Sequence, residues 1–264
     1  MLAVTGAVAL MSIPAGSQQR APGPPPLPPT ASQRAVTAVV TAAERRDTSP
    51  FLRDIRPIAP VDRHEPDERE QRFVRRIQRP RTPDPVVQSS PGAVAMAPAS
   101  QSFEGIGNVN NVLPPDTTAA VGPNHYIQAV NVSFAIYSKS ASALPSLLYG
   151  PADTSTIWSG FGGPCEARND GDAIILYDHL ADRWVISQLA LPNLFFGIAI
   201  APFYQCIAIS ATPDPTGAYH RYQFAFNKLN DYPKLAVWPD AYYMTINQFT
   251  SVSLQWAGHT ANFG

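Results

Sequence analysis

The chain has 264 residues, of which 15% are charged and 45% hydrophobic, with a net charge of -1. That is the balance of an ordinary soluble protein, and it gives no reason to invoke nucleic acid as a partner. The average conceals two unlike halves: residues 1–100 hold 16 of the 28 prolines and 13 arginines with only Phe51 and Phe73 as aromatics, whereas 24 aromatics and both cysteines follow.

The opening stretch "MLAVTGAVALMSIPAGS", residues 1–17, is small and apolar and ends in Ala15-Gly16-Ser17. It reads as a signal peptide, too short to act as a permanent transmembrane anchor. No Lys or Arg precedes its apolar run, so the alternatives are a misassigned start at Met1 or an apolar tail. Export places the protein outside the cell, on the cell surface or in the periplasm.

Residues 18–101 are rich in Pro, Arg, Ser and Gln and poor in aromatics. Such a stretch buries too little apolar surface to offset its ordering entropy, and the expectation is a disordered linker. Within it "PPPLPP", 24–29, reads as a stiff polyproline spacer. "DEREQRFVRRIQRPR", 67–81, has room for a short helix with Phe73, Val74 and Ile77 on one side that Pro80 would stop, but it mixes acids with its basic residues; a solvated linker is the reading.

From Ser102 the pattern changes to short runs of Val, Ile, Tyr, Phe and Trp separated by Gly, Pro, Asn and Asp, the signature of strands joined by turns. "HYIQAVN", "SFAIYSK", "AIILYD", "RWVISQLA", "YQCIAISAT", "YHRYQFAF", "KLAVW" and "AYYMTINQF" are the expected strands. Among them "AVGPNHYIQAVN", 120–131, is nearly repeated as "AVWPDAYYMTIN", 236–247. Trp184 in "LADRWVISQLA" lies midway between Tyr126 and Tyr242, so an aromatic recurs every 58 residues at the start of a strand (184 - 126 = 58; 242 - 184 = 58). Each is preceded by another strand-like run, "TTAAVG", "AIILYD" or "KLAVW".

A repeat of this length has room for four antiparallel strands, the content of a propeller blade. The expected fold is therefore all-β: residues 102–264 as an incomplete β-propeller of two to three four-stranded blades, with a β-sandwich as the competing architecture. Closed propellers have about four to eight blades, so the missing blades count among the expected partners.

"PPDTTAAVGPNHYIQAVN", "GDAIILYDHLADRWVISQ", "SATPDPTGAYHRYQF" and "DYPKLAVWPDAYYMTINQF" resemble a group of uncharacterised secreted bacterial β-propeller proteins, over residues 103–249. The resemblance implies export and a propeller but no established reaction. "TPDPTGAY", 212–219, is more weakly similar to the Asp-containing turns of sialidase- and arabinanase-like propellers, with Asp214, Gly217 and Tyr219 in the turn. Its spacing departs by a residue, so no catalytic role is carried over.

Three aspartates precede the periodic aromatics: Asp116, Asp172 and Asp231. If the first strand of each blade lines a channel, these carboxylates converge and become candidates for sugar hydrolysis; as turn caps they would be purely structural. "ARNDGDA", 167–173, is the richest polar loop, where Asp170 is a candidate ligand-binding residue and Ca²⁺ the cation its oxygens would suit, although the closing Glu of an EF-hand is missing. His179, between Asp178 and Asp182, is either a general base or a hairpin-turn residue. Trp238 and Asp240 are further ligand-binding candidates, as an aromatic platform for a sugar beside a carboxylate. Cys165 and Cys206 suit a single disulfide in an exported chain, or two buried thiols otherwise. No metal cluster and no other cofactor is expected. Two functions fit these features: a secreted module binding a glycan or protein, or a carbohydrate-active enzyme.

Overall fold

The apolar runs after residue 116 become strands because β-branched and aromatic side chains pack well on a pleated, half-buried surface. In the computed structural model residues 42–63, 102–140, 143–195, 198–249 and 256–259 are described, all within one compact unit, Ala42–Gly264. The expected signal peptide and the linker apart from 42–63 lie outside these residues.

A short strand, β1 (Arg45–Thr48), precedes three antiparallel sheets. The first runs β2 (Thr117–Val121), β3 (His125–Val130), β4 (Ser133–Ser138) and β5 (Leu147–Asp153) in spatial as well as chain order. A connector containing a 3₁₀ turn, Thr154–Trp158, and a one-turn helix α1 (Pro164–Ala167) leads to the second sheet. That sheet contains β6 (Ile174–Asp178) and β7 (Arg183–Ala190), and then, after a small hairpin of β8 (Leu194–Phe195) and β9 (Ile198–Ala199), β10 (Phe203–Ser210) and β11 (Tyr219–Phe226). The third is β12 (Leu229–Trp238), β13 (Ala241–Phe249) and β14 (Trp256–His259).

The periodic aromatics occupy one position in the three sheets. Tyr126, Trp184 and Tyr242 lie on the second strand and face Val121, Tyr177 and Val237 on the first. The first strands also meet across sheets, β2 against β6 and β6 against β12. Successive sheets whose inner strands gather along a common line make an incomplete β-propeller, as expected, rather than one continuous sandwich.

The interface between the first two sheets is the main core. Ile127, Phe134 and Ile136 from the first pack with Ile175, Trp184 and Ile186 from the second. The approach is close enough to require glycine at 122: a Cβ there would lie 2.8 Å from Cζ2 of Trp184 and 3.1 Å from Cε2 of Tyr177. Asp178 takes the equivalent position in the second sheet, and its carboxylate accepts a 2.7 Å hydrogen bond from the Tyr242 hydroxyl of the third. Cys165 and Cys206 form the expected disulfide, joining α1 to β10 with Cα atoms 5.7 Å apart. Closing this loop contributes on the order of 3 to 4 kcal/mol.

Residues 42–63 revise the expectation of disorder for their part of 18–101. β1 pairs with β11 as a fifth strand of the second sheet. Its Asp47 holds the buried Arg221 through two bonds of 2.8 and 2.6 Å, while Arg221 also donates to the carbonyls of Ile157 and Ser159. Leu52 is fully buried, and the Tyr149 hydroxyl donates to the Ile55 carbonyl. Composition misses this strap because main-chain pairing, the ion pairs of Asp47, Arg53 and Arg63, and one fully buried leucine order it, not a cluster of apolar side chains. β5 was likewise not among the expected strands: Gly150-Pro151 interrupts its apolar run, and the ladder shifts register there.

Candidate functional site

Each inner strand opens near a left-handed residue. Asp116 (φ 38°) precedes β2, Asp172 (φ 50°) stands two residues before β6, and Tyr232 (φ 49°) follows Asp231 where the β12–β13 register shifts. Asp tolerates this conformation better than most side chains, which explains part of its recurrence. Because β2, β6 and β12 meet, these openings share one end of the molecule.

Charge at this end acts on Asp172 and Asp231. Burial raises the Asp172 carboxyl above the usual range and the charges of Asp231 and Asp116 push it further, against the backbone N–H of Tyr232 and the charge of Lys234. Asp231 is also raised, first by burial and then by Asp116, against hydrogen bonds from Asn247 and the Tyr232 N–H. Asp172 Oδ2 accepts that Tyr232 N–H at 3.0 Å, a bond that crosses from the second sheet to the third. The carboxylate is therefore not confined to its own turn. Among the described residues, no three His, Cys, Asp or Glu side chains form a group that could hold a metal ion.

The other candidates divide between the two ends of the sheets. Asp170, in the connector just before Asp172, accepts two bonds from Arg168, of 2.7 and 3.0 Å, and one of 2.6 Å from the Leu191 N–H. It braces the loop. Trp238 is 68% exposed, and the Asp240 carboxylate accepts the Tyr243 hydroxyl at 2.9 Å. Trp238 ends β12 and Asp240 sits in the hairpin turn after it, about 20 Å from Asp231 at strand rise. The structure brings Asp116, Asp172 and Asp231 together and leaves Trp238 and Asp240 apart from them.

Asp178 does not orient His179 as a general base. Its Oδ1 accepts the N–H groups of Leu180 and Ala181, at 2.9 and 3.0 Å, closing the hairpin turn. Burial pushes this carboxyl up, but the bonds from Tyr242, Ala181 and Leu180 outweigh it and hold it below the usual range. In "TPDPTGAY", Asp214 likewise caps a turn, accepting the Thr216 N–H and hydroxyl at 2.9 and 2.7 Å, and it pairs with Arg53 of the strap at 3.0 Å.

Sequence reasoning missed a polar cleft of about 360 Å³ between the strap and the β5–β6 connector, lined in part by Arg63, Asp153, Glu166 and Arg168. Asp153 is raised by burial, against the Asn110 side chain and the Arg63 charge 3.6 Å away. Glu166 accepts the N–H groups of Gly160 and Gly162 at 2.8 and 2.6 Å. Arg63 pairs with Asp153, Arg168 with Asp170, and Glu166 with backbone N–H groups, so each charge has a partner within the protein; the one sequence signal is the polar run 167–173.

No protein-family model and no curated protein matches the chain. Two solved structures resemble it: the GH43 BlXynB protein from Bacillus licheniformis, with 14% identity and a TM-score of 0.32, and a mutant of that protein, with 14% identity and a TM-score of 0.31. In each case the match covers 55% of this chain and 30% of the other. Similarity this distant decides neither fold nor activity, and the fold assignment stands on the sheets themselves: an all-β chain of successive propeller-type blades.

Proposed function

We propose that the domain is a secreted or cell-surface binding module that presents the loops at the inner-strand openings to a glycan or protein ligand. The observation that carries this reading is the meeting of Asp116, Asp172 and Asp231 at one end of three sheets. Carboxylates accept hydrogen bonds from sugar hydroxyls and from Lys or Arg of a protein, and loops on a rigid scaffold hold them in place. The disulfide fits an oxidising compartment. Among the described residues no helix is long and apolar enough to cross a membrane. Further blades of the repeat would complete the ring around the site. Screening the folded protein against a glycan array and by pull-down tests the reading: Asp116→Asn and Asp172→Asn should weaken any ligand captured, and an absence of ligands would refute it.

A second reading, a glycoside-hydrolase-like enzyme, is favoured by the raised carboxyls of Asp172 and Asp231, since a general acid must keep its proton near working pH. Turnover of polysaccharide or aryl glycosides that Asp172→Asn abolishes at unchanged fold would establish it. Activity that survives the substitution would remove Asp172 from the chemistry.

A further inference from the structure

The polar cleft beside Arg63 is walled by the strap, the end of β5 and the connector to β6, so no further blade is needed to form it. Its two arginines are each held from one side. Arg63 donates from Nη1 to the Asn169 carbonyl at 2.7 Å and rests against Asp153, while Arg168 spends Nε and Nη2 on Asp170. Both side chains stay partly exposed, and a guanidinium has five N–H groups, so each keeps donors for a ligand. Acceptors line the same space: each Glu166 oxygen takes one backbone N–H and keeps a lone pair. The frame that holds these groups is braced. Asn169 accepts the Ser155 N–H at 3.3 Å and donates to the Val132 carbonyl at 2.9 Å, which ties the loop to the first sheet, and the disulfide at Cys165 anchors the short helix that carries Glu166.

The cleft lies at the same end of the molecule as the inner-strand carboxylates. Asp153 faces Ser133, Ser133 faces Val130 and Val130 faces Thr117, the residue after Asp116, so three strand spacings, about 14 Å, separate the two. On the connector, Asp170 stands two residues before Asp172. The mixture of groups decides what the cleft suits. An anion entering it would meet the carboxylates of Asp153, Glu166 and Asp170, and a cation would meet two guanidiniums. A hydroxyl group donates and accepts at once, and matches both. Ile58 adds an exposed apolar edge on which the C–H face of a ring can rest. We propose that the cleft binds one uncharged sugar unit of a glycan whose chain reaches the inner-strand carboxylates. This inference rests on the glycan form of the binding reading above and makes the carboxylate end one of two subsites. Two weak sites filled by one chain bind it more tightly than either alone.

An NMR titration of the intact, nitrogen-labelled chain tests the proposal, with neutral gluco-, xylo- and manno-oligosaccharides from single sugars to hexamers, and with glucuronate and glucosamine as charged controls. Neutral single sugars at millimolar concentration should shift the Nε–H signals of Arg63 and Arg168, the charged controls should not, and affinity should rise with chain length. Arg63→Lys and Arg168→Lys keep a cation for each acidic partner but lose the spare donors of the fork. Each should weaken single-sugar binding about 10-fold, with near-ultraviolet circular dichroism checking that the variant is folded. Asp172→Asn should leave the single-sugar shifts in place and remove the gain with length, so a failure at the inner strands is read separately. Arginine signals that no neutral sugar moves would overturn the proposal, as would a response to glucuronate or glucosamine alone, which would mean that the cleft selects charge. Oligosaccharide binding that Asp172→Asn abolishes and neither lysine variant changes would overturn the subsite while leaving the binding reading intact.

Discussion

Asp172 joins two sheets through the Tyr232 N–H while sharing its end of the molecule with two other carboxylates. Its folded value lies above its unfolded one, so its contribution to stability is fully present below the unfolded value of about 4 and is lost as pH rises through the folded value. Asp172→Asn keeps an acceptor for Tyr232 and removes the buried charge. Thermal melts should therefore show a higher Tm for the variant at pH 7, with the gain shrinking towards pH 4; a lower Tm at pH 7 would mean that the charge itself holds the sheets. Asp47 tests the opposite arrangement. It compensates a guanidinium that is only 2% exposed but is itself 36% exposed, so Asp47→Ala should cost about 2 kcal/mol in urea denaturation, less than a fully buried pair because water reaches that side. Arg46→Ala, on the exposed neighbour in β1, should cost less than about 0.5 kcal/mol.

At the scale of elements, the strap and the disulfide fasten the second sheet from two directions. Leu52 is the strap's fully buried apolar side chain, and Leu52→Ala should lower stability by about 2 to 4 kcal/mol. Replacing Cys165 and Cys206 together by Ala should cost about 3 to 4 kcal/mol, read as a shift in the denaturation midpoint. The two elements were unequally legible. The cysteines announce themselves by number and by the export reading, whereas "RRDT" carries no apolar alternation and becomes a strand because β11 offers it a ladder edge and Arg221 needs Asp47. Strands with Val, Ile and aromatic runs were readable one by one; β5 was not, because Gly150 and Pro151 mask its period.

In the whole molecule, one spacing of 58 residues was enough to anticipate equivalent hairpins in three sheets, since only a residue with the same neighbours in each blade recurs as a strand-opening aromatic. The convergence of Asp116, Asp172 and Asp231 followed from that equivalence. The separation of Trp238 and Asp240 from them did not, because it depends on which end of β12 each residue occupies. Sheet-to-sheet contact also explains Gly122: Gly122→Ala should cost about 1 to 3 kcal/mol, since neither the Trp184 nor the Tyr177 ring can retreat from the packed core. The blade arrangement and the carboxylate site both depend on the inner strands meeting, and a carboxyl-detected NMR titration of Asp172 tests this directly. Asp172 should titrate above the ordinary carboxylate range in the wild type and move down in both Asp116→Asn and Asp231→Asn. An ordinary value that ignores both substitutions would mean that the three strands do not share an end, and would contradict the blade arrangement and the site together.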